Sequence, residues 1–261
     1  MSEKFGVQIF TIRDYLNDAN QIRESFKRIK SIGYDYIQTA GAPSVSYKEF
    51  GEIARECGLF VCGTHDDLNM MAENPEQAIE NHRYLDTKIM GCGGNGFEGS
   101  DNSWRTLGYH NDEQLFGTID KLNKAAANIA PYGYKLSYHN HAWEFAKYKD
   151  KLVLQHILDG TDPKNVSICL DLYWAQYGGA DVRQLMKELA GRIDIIHLKD
   201  MARGESEPYM AYVGEGNMYW KGIIEQAKES GVKYFVVEQD VCQDRNPFDC
   251  LEKSFEYLSK L

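Results

Sequence analysis

Short apolar runs alternate with amphipathic stretches along nearly the whole chain. Eight runs have the length and the β-branched or aromatic content of strands: FGVQIFT from Phe5, YDYIQTA from Tyr34, LFVCGTH from Leu59, TKIMGCG from Thr87, YKLSYHNH from Tyr134, VSICLDL from Val166, IDIIHLKD from Ile193 and KYFVVEQD from Lys233. Between them, apolar residues recur at helical spacing in ANQIRESFKRIKSIG, SYKEFGEIARECG, NPEQAIENHRYL, DEQLFGTIDKLNKAAANIA, DVRQLMKELAGR and YWKGIIEQAKESG. Several of these helices close on a glycine directly before the next strand, at Gly33, Gly58, Gly133 and Gly231, where a residue without Cβ enters a left-handed cap freely. At helix starts, Asn74–Pro75 and Asn246–Pro247 fit an N-cap followed by proline in the first turn.

Strands that alternate with helices require a parallel sheet with helical crossovers. Eight such units in 261 residues give a repeat of roughly 32, the spacing of a (β/α)8 TIM barrel, and no linker or low-complexity stretch interrupts it. The pattern therefore predicts a single α/β domain over residues 1–261. An open dinucleotide-binding sheet would carry its glycine-rich turn after the first strand, with an acidic residue about 20 positions on. Here GCGGNG follows the fourth strand, and it reads as a loop.

Composition narrows the function. No apolar run reaches the length of a membrane span, and MSEKFGVQIF lacks the basic-then-apolar order of a secretory signal, so a soluble, cytoplasmic chain is expected, with homo-oligomerisation left open. The six cysteines are scattered, with no C-x-x-C, and read as reduced space-fillers. A net charge of −10 without a basic cluster argues against nucleic acid as a partner.

In a barrel the chemistry collects at the C-terminal ends of the strands. The third run ends in His65, the fifth in His139 and His141 with Glu144 just beyond, and the sixth in Asp171. The seventh ends in His197 with Lys199 and Asp200, the eighth in Glu238 with Asp240. Carboxylates inside apolar frames such as ICLDL and FVVEQD must be satisfied by a cation, a metal or donors, because an unpaired buried charge is costly. One divalent metal satisfies several at once, and carboxylates with imidazole suit Mn2+, Zn2+, Co2+ or Mg2+. Each residue also has a structural use: Asp171 as a turn cap, His197 as a core histidine, Glu238 as an ion-pair partner of Lys199. His82, His110 and His156 fall in helix-like or loop segments and read as structural.

These strand ends resemble the xylose isomerase-like TIM-barrel superfamily, in its sugar phosphate isomerase/epimerase branch, which includes ketose 3-epimerases and inosose isomerases and dehydratases. The resemblance spans essentially the whole chain and rests on GVQIFTIRD, GTH, YHNHAWEF, CLDLYW, IIHLKD, VGEGNMYW and VVEQD. It implies one divalent metal held by a glutamate on strand five, an aspartate on six, a histidine on seven and a glutamate on eight; the last three carry over to Asp171, His197 and Glu238. Strand five departs from the pattern. His139 occupies the usual ligand slot by register, and Glu144 comes five residues later. Either Glu144 reaches back to the metal and leaves His139 as base, or His139 binds the metal and Glu144 meets substrate; charge balance favours Glu144 as ligand.

The resemblance implies an isomerase or epimerase that polarises a keto-sugar or polyol ketone, removes an adjacent C–H proton and passes through an enediolate. Glu238 and His139 are the candidate bases, Lys199 a donor to the developing oxyanion, His65 and His141 contacts for substrate hydroxyls, and Trp143 and Trp174 a wall for the sugar's C–H face. The main alternative is a metal-dependent lyase or dehydratase acting on a 3-keto glycoside or inosose. A retaining glycosidase lacks the carboxylate it would need after strand four, a repair endonuclease of the endonuclease IV type would need more histidines and a basic face, and a non-catalytic sugar-binding barrel would be expected to lose a ligand. The loops after strands seven and eight set Glu205, Glu207, Glu215, Asp240 and Asp244 against Arg203 and Arg245. They offer Tyr209, Tyr212, Tyr219 and Trp220 as further aromatic surface, so an unphosphorylated substrate is expected.

Overall fold

The computed structural model describes residues 3–93, 109 and 111–261. Each of the eight runs contains a strand: Phe5–Gln8, Tyr36–Gln38, Phe60–Gly63, Ile89–Gly93, Lys135–His139, Val166–Asp171, Ile193–Leu198 and Tyr234–Val237. They lie in parallel, in the order third, second, first, eighth, seventh, sixth, fifth, fourth. The ring is drawn together between the third and fourth strands, where Thr64 N–H donates to the Ile89 carbonyl at 3.2 Å and Asp66 N–H to the Gly91 carbonyl at 2.8 Å. Glycine is needed at 91, because a Cβ there would fall on the Thr64 carbonyl oxygen. The result is a nearly closed (β/α)8 TIM barrel.

Strand periodicity divides the core into two parts. Tyr36, Cys62, Ile89, Cys169, Ile195 and Val236 fill the barrel interior, while neighbours such as Ile37, Val61, Met90, Ile196 and Phe235 face the surrounding helices. Two residues further along four of these strands, the same inward face carries Gln38, Asp171, His197 and Glu238, all buried. The polar site thus sits as the next layer on an apolar plug.

The expected helices appear as Ala19–Ile32, Tyr47–Glu56, Pro75–His82, Asp112–Ile129, Val182–Glu188 and Trp220–Glu229, and the Asn246–Pro247 start opens Pro247–Leu258. Gly33, Gly58, Gly133 and Gly231 all adopt positive φ, as their capping positions require. Asn246 Oδ1 accepts from Phe248 N–H at 3.0 Å. Asn74 makes no such side-chain bond; it ends a short helix, Leu68–Glu73, which the periodicity did not mark, and its own N–H closes onto the Met70 carbonyl. Val153–Gly160 and Leu172–Tyr177 are further helices beyond those the spacing predicts.

After the seventh strand the chain adds a hairpin, Asp200–Arg203 paired antiparallel with Pro208–Ala211, beside the C-terminal mouth of the barrel. Gly91 to Gly93 of GCGGNG complete the fourth strand; its remainder and His110 lie outside the described residues. No described helix is long and apolar enough to cross a membrane. All six cysteines are free thiols.

Candidate active site

Parallel register brings the strand ends together: Asp171 is level with His197, and Val237, just before Glu238, is level with Leu198. The two carboxyl oxygens of Asp171 are divided between tasks. Oδ1 caps the Leu172–Tyr177 helix, accepting from Trp174 N–H at 2.9 Å, which leaves Oδ2 for the barrel mouth. Asn140 steadies the same residue, its Oδ1 accepting from Asp171 N–H at 2.9 Å. His197 is oriented from below. The Gln38 amide nitrogen donates to the Thr64 carbonyl at 3.4 Å, so its Oε1 accepts from His197 Nε2–H at 2.7 Å. The other ring nitrogen, Nδ1, then faces Glu238 Oε2 at 2.8 Å and Asp171 Oδ2 at 3.5 Å.

These three atoms fit a divalent cation. They are buried and face one another without a well-aligned hydrogen bond, and Lys199 Nζ meets the charge of the two carboxylate oxygens. The candidate ligand atoms of Asp171, His197 and Glu238 all lie within 4.8 Å of one another, and two carboxylates with one imidazole form a donor set for Mn2+, Zn2+, Co2+ or Mg2+. Burial would lower the pKa of His197, but Cys169, Glu238 and Asp171 together raise it, so a cation arriving at Nδ1 exchanges with a proton. A second set, His139, Cys169 and His197, also clusters within 4.8 Å. There, however, His197 presents the nitrogen that Gln38 already engages, with Cys169 Sγ 3.3 Å from it. Cys169 lies two residues before Asp171 on the same inward face, a spacing that could have flagged a thiol beneath the site.

Lys199, fully buried, touches three carboxylates: Asp171 Oδ2 at 2.9 Å, Glu238 Oε2 at 2.8 Å and Asp240 Oδ1 at 2.9 Å. Burial alone would raise Glu238, but Lys199 and His197 overcome it and hold the carboxyl below the ordinary range; Asp171 is lowered in the same way. Asp240 moves the other way, pushed up to about 7 by burial against the pull of Lys199, with Glu238 and Asp171 adding repulsion. Both structural uses foreseen for these residues, the turn cap and the ion pair, are present beside the cation-ready cluster.

The histidines of strands three and five gather around this cluster. The His139 ring lies 4.7 Å from each of His65, His141 and His197, and His141 stacks on Trp143 at 4.1 Å. Burial lowers His65 to about 4 and His141 to about 3 and holds His139 well below its usual value, so all three are neutral at physiological pH. Their Nδ1 atoms are without hydrogen-bond partners. His65, His139, His141, Trp174, Lys199 and Glu238 line one chamber of about 560 Å3 at the barrel mouth; Trp143 stands just outside it.

Glu144 stands apart from the cluster. A single 3-10 turn, Trp143–Phe145, carries its carboxylate back into the wall, where Oε1 accepts from the Tyr138 hydroxyl at 2.6 Å and Oε2 from His141 N–H at 2.8 Å. It does not belong to either group of candidate ligands. Asp200 also has a structural task, accepting from Gly214, Gly216 and Met218 N–H and from Trp220 Nε1, and so shaping the VGEGNMYW loop. Trp220 is therefore core, Tyr219 borders a different pocket, and of the four loop aromatics Tyr209 is the one beside the site. His82 bonds the Ala78 carbonyl and His156 that of Tyr148, as structural residues do.

A family model described as xylose isomerase-like TIM barrel matches residues 26–261. Among curated proteins the chain is similar to an inosose dehydratase of Geobacillus thermodenitrificans (strain NG80-2), 27% identical over an alignment of 159 positions that covers 54% of this chain and 52% of that protein. The chain thus spans about half the length of that relative. Among solved structures it is similar to a sugar phosphate isomerase/epimerase from Parabacteroides distasonis ATCC 8503, with a TM-score of 0.80 and 21% identity over 99% of this chain and 94% of that one. It is also similar to a 3-keto-D-glucoside 4-epimerase from E. coli, with a TM-score of 0.71 and 17% identity over 99% of each chain.

Proposed function

This chain belongs to the xylose isomerase-like TIM-barrel family, and from that footing we propose that it is a divalent-metal-dependent isomerase or epimerase of a keto-sugar or related polyol ketone. The observation that carries the reading is the buried convergence of Asp171 Oδ2, His197 Nδ1 and Glu238 Oε2, ligand atoms all within 4.8 Å of one another. Asp171, His197 and Glu238 would hold one cation per chain, with Mn2+ the first to test and Zn2+, Co2+ and Mg2+ as alternatives. When bound, it supplies Lewis-acid polarisation of the substrate carbonyl.

The chain's own residues do the rest. Glu238, kept ionised, and His139, kept neutral, are the two groups placed to take and return the C–H proton beside the carbonyl. A proton held by His139 is readily returned, because the same burial that keeps the ring neutral makes its imidazolium a strong acid. Lys199, its donors held by Asp171, Glu238 and Asp240, brings positive charge near the oxygen that gains charge as the enediolate forms. His65 and His141 offer ring nitrogens to substrate hydroxyls, while Trp174 flanks the sugar's apolar face and Trp143, outside the chamber, stacks on His141. In this reading neither fifth-strand candidate is a ligand: His139 serves as base, and Glu144 positions the turn that carries His141. Free thiols and the absence of a long apolar helix among the described residues suit the cytoplasm.

A dehydratase is the second reading, favoured by the activity named for the curated relative; it shares the same proton abstraction and then loses a β-hydroxyl. Elemental analysis of protein purified without chelator should find near-stoichiometric metal, lost in Asp171→Ala and His197→Ala. Incubation in deuterated water with keto-sugars, inososes and 3-keto glycosides should then exchange one C–H. Wild-type protein that refuses every one of the four ions would overturn the proposal.

A further inference from the structure

A second chamber of about 510 Å3 opens beside the first, and Phe10, His141, Trp174 and Asp240 border both. Its walls are aromatic. Tyr173 and Trp174 meet edge-on at 5.0 Å, Trp174 and Tyr177 at 5.9 Å, and Tyr173 and Tyr177 stack at 6.0 Å. Trp143 extends this wall through its stack on His141, and the hairpin after the seventh strand closes the other side with Pro208, Tyr209 and Met210. Phe10 and Tyr177 each leave 39% of their surface exposed, apolar area that a ligand could cover. The charged side chains among the described lining residues, Glu207 and Asp240, are acidic, which disfavours an anionic group.

Trp174 joins the two chambers. Lys199 Nζ lies 5.7 Å from its ring centre, so this indole borders the proposed catalytic centre and the aromatic chamber at once. A ligand that reaches both must carry a sugar ring with an uncharged substituent attached directly to it. We propose that the second chamber is an aglycone site, and that the physiological substrate is a glycoside bearing an uncharged aromatic aglycone, its sugar lying over the metal cluster. The inference rests on reading the first chamber as a keto-sugar site. Aromatic platforms of this kind reward a planar apolar ring by offset stacking and by the apolar area removed from water.

The test separates binding from chemistry. Calorimetry on the metal-loaded full chain compares phenyl glucoside with methyl glucoside, a glucosyl disaccharide and a carboxyphenyl glucoside. The phenyl compound should bind at least about tenfold more tightly than the other three, and Tyr177→Ala with Tyr209→Ala should reduce that preference to within about threefold, since removing two aromatic walls removes most of the buried ring contact. Equal affinities, a disaccharide that binds more tightly than the phenyl glucoside, or a phenyl preference that survives the double variant would overturn the proposal. Solvent deuterium exchange into the corresponding 3-keto glycosides is measured separately. Exchange without phenyl selectivity removes the aglycone site and leaves the catalytic reading; selectivity without exchange removes the catalytic reading and leaves the site.

Discussion

Glu144→Gln separates a wall carboxylate from a metal ligand. The Glu144 side chain is completely buried, and burial raises its pKa from 4.5 to about 7 although Tyr138 O–H and His141 N–H both donate to it. A carboxyl raised on folding binds its proton more tightly in the folded state. Its stabilising share is therefore complete below pH 4.5 and is lost as the pH rises through about 7. At about 1.36 kcal/mol per pH unit, that displacement is worth roughly 3 kcal/mol. Glutamine stays neutral throughout. Its carbonyl can accept from His141 N–H while its amide donates to the Tyr138 oxygen, whose hydroxyl then turns to Tyr109, 3.4 Å away. The unfolding free energy of the variant minus that of the wild type should therefore increase with pH by roughly 3 kcal/mol across this window and level off above it. Urea denaturation at half-unit pH steps measures the difference, and elemental analysis should find the metal content of the variant unchanged. A difference that stays flat with pH, together with loss of bound metal, would refute the reasoning and make Glu144 the fourth ligand.

Gln38→Leu removes the acceptor that holds His197 Nε2–H, and titration with Mn2+ should show affinity about 10- to 100-fold weaker with all three ligands intact; unaltered affinity would mean the ring is oriented by other contacts. Lys199→Met leaves Asp171, Glu238 and Asp240 facing one another, so the metal-free variant should lose about 3 to 5 kcal/mol in denaturation, and added Mn2+ should raise its Tm more than that of the wild type. A phosphorylated sugar should gain no advantage in kcat/KM over its unphosphorylated form. Arg245 is already paired with Glu215 at 2.6 Å and Arg203 borders a separate pocket, so an advantage that disappears in Arg245→Ala would count decisively against this.

The barrel was legible because two periods agree along the chain: strands that alternate inward and outward, and helices that close on glycine. Period two also puts most of the cluster on one inward face. Stepping by two from the interior residues Cys169, Ile195 and Val236 arrives at Asp171, His197 and Glu238, and one more step on strand seven reaches Lys199. Gln38 follows from Tyr36 by the same step, but a glutamine announces no chemistry until the nitrogen it binds is known. The Leu68–Glu73, Val153–Gly160 and Leu172–Tyr177 helices lack the Asn–Pro start or the glycine directly before a strand that marks others, and the hairpin that walls the second chamber is hidden in a polar, glutamate-bearing loop.

The fifth strand shows where pattern and charge diverge. Counting carboxylates favoured Glu144 as the third negative group, whereas register favoured His139. The structure does gather a third carboxylate at the cluster, but from beyond strand eight: Asp240, two residues past Glu238, reaches it through both of its oxygens on Lys199. Glu144 was diverted by a local event, the 3-10 turn after Ala142, which needs a buried acceptor for His141 N–H and for the Tyr138 hydroxyl. That demand exists only once strand five is packed in the barrel with Tyr138 facing the helices and His139 facing the chamber. Charge balance speaks to the number of carboxylates and not to their address, because a side chain's destination beyond a strand end is set by the turn that follows.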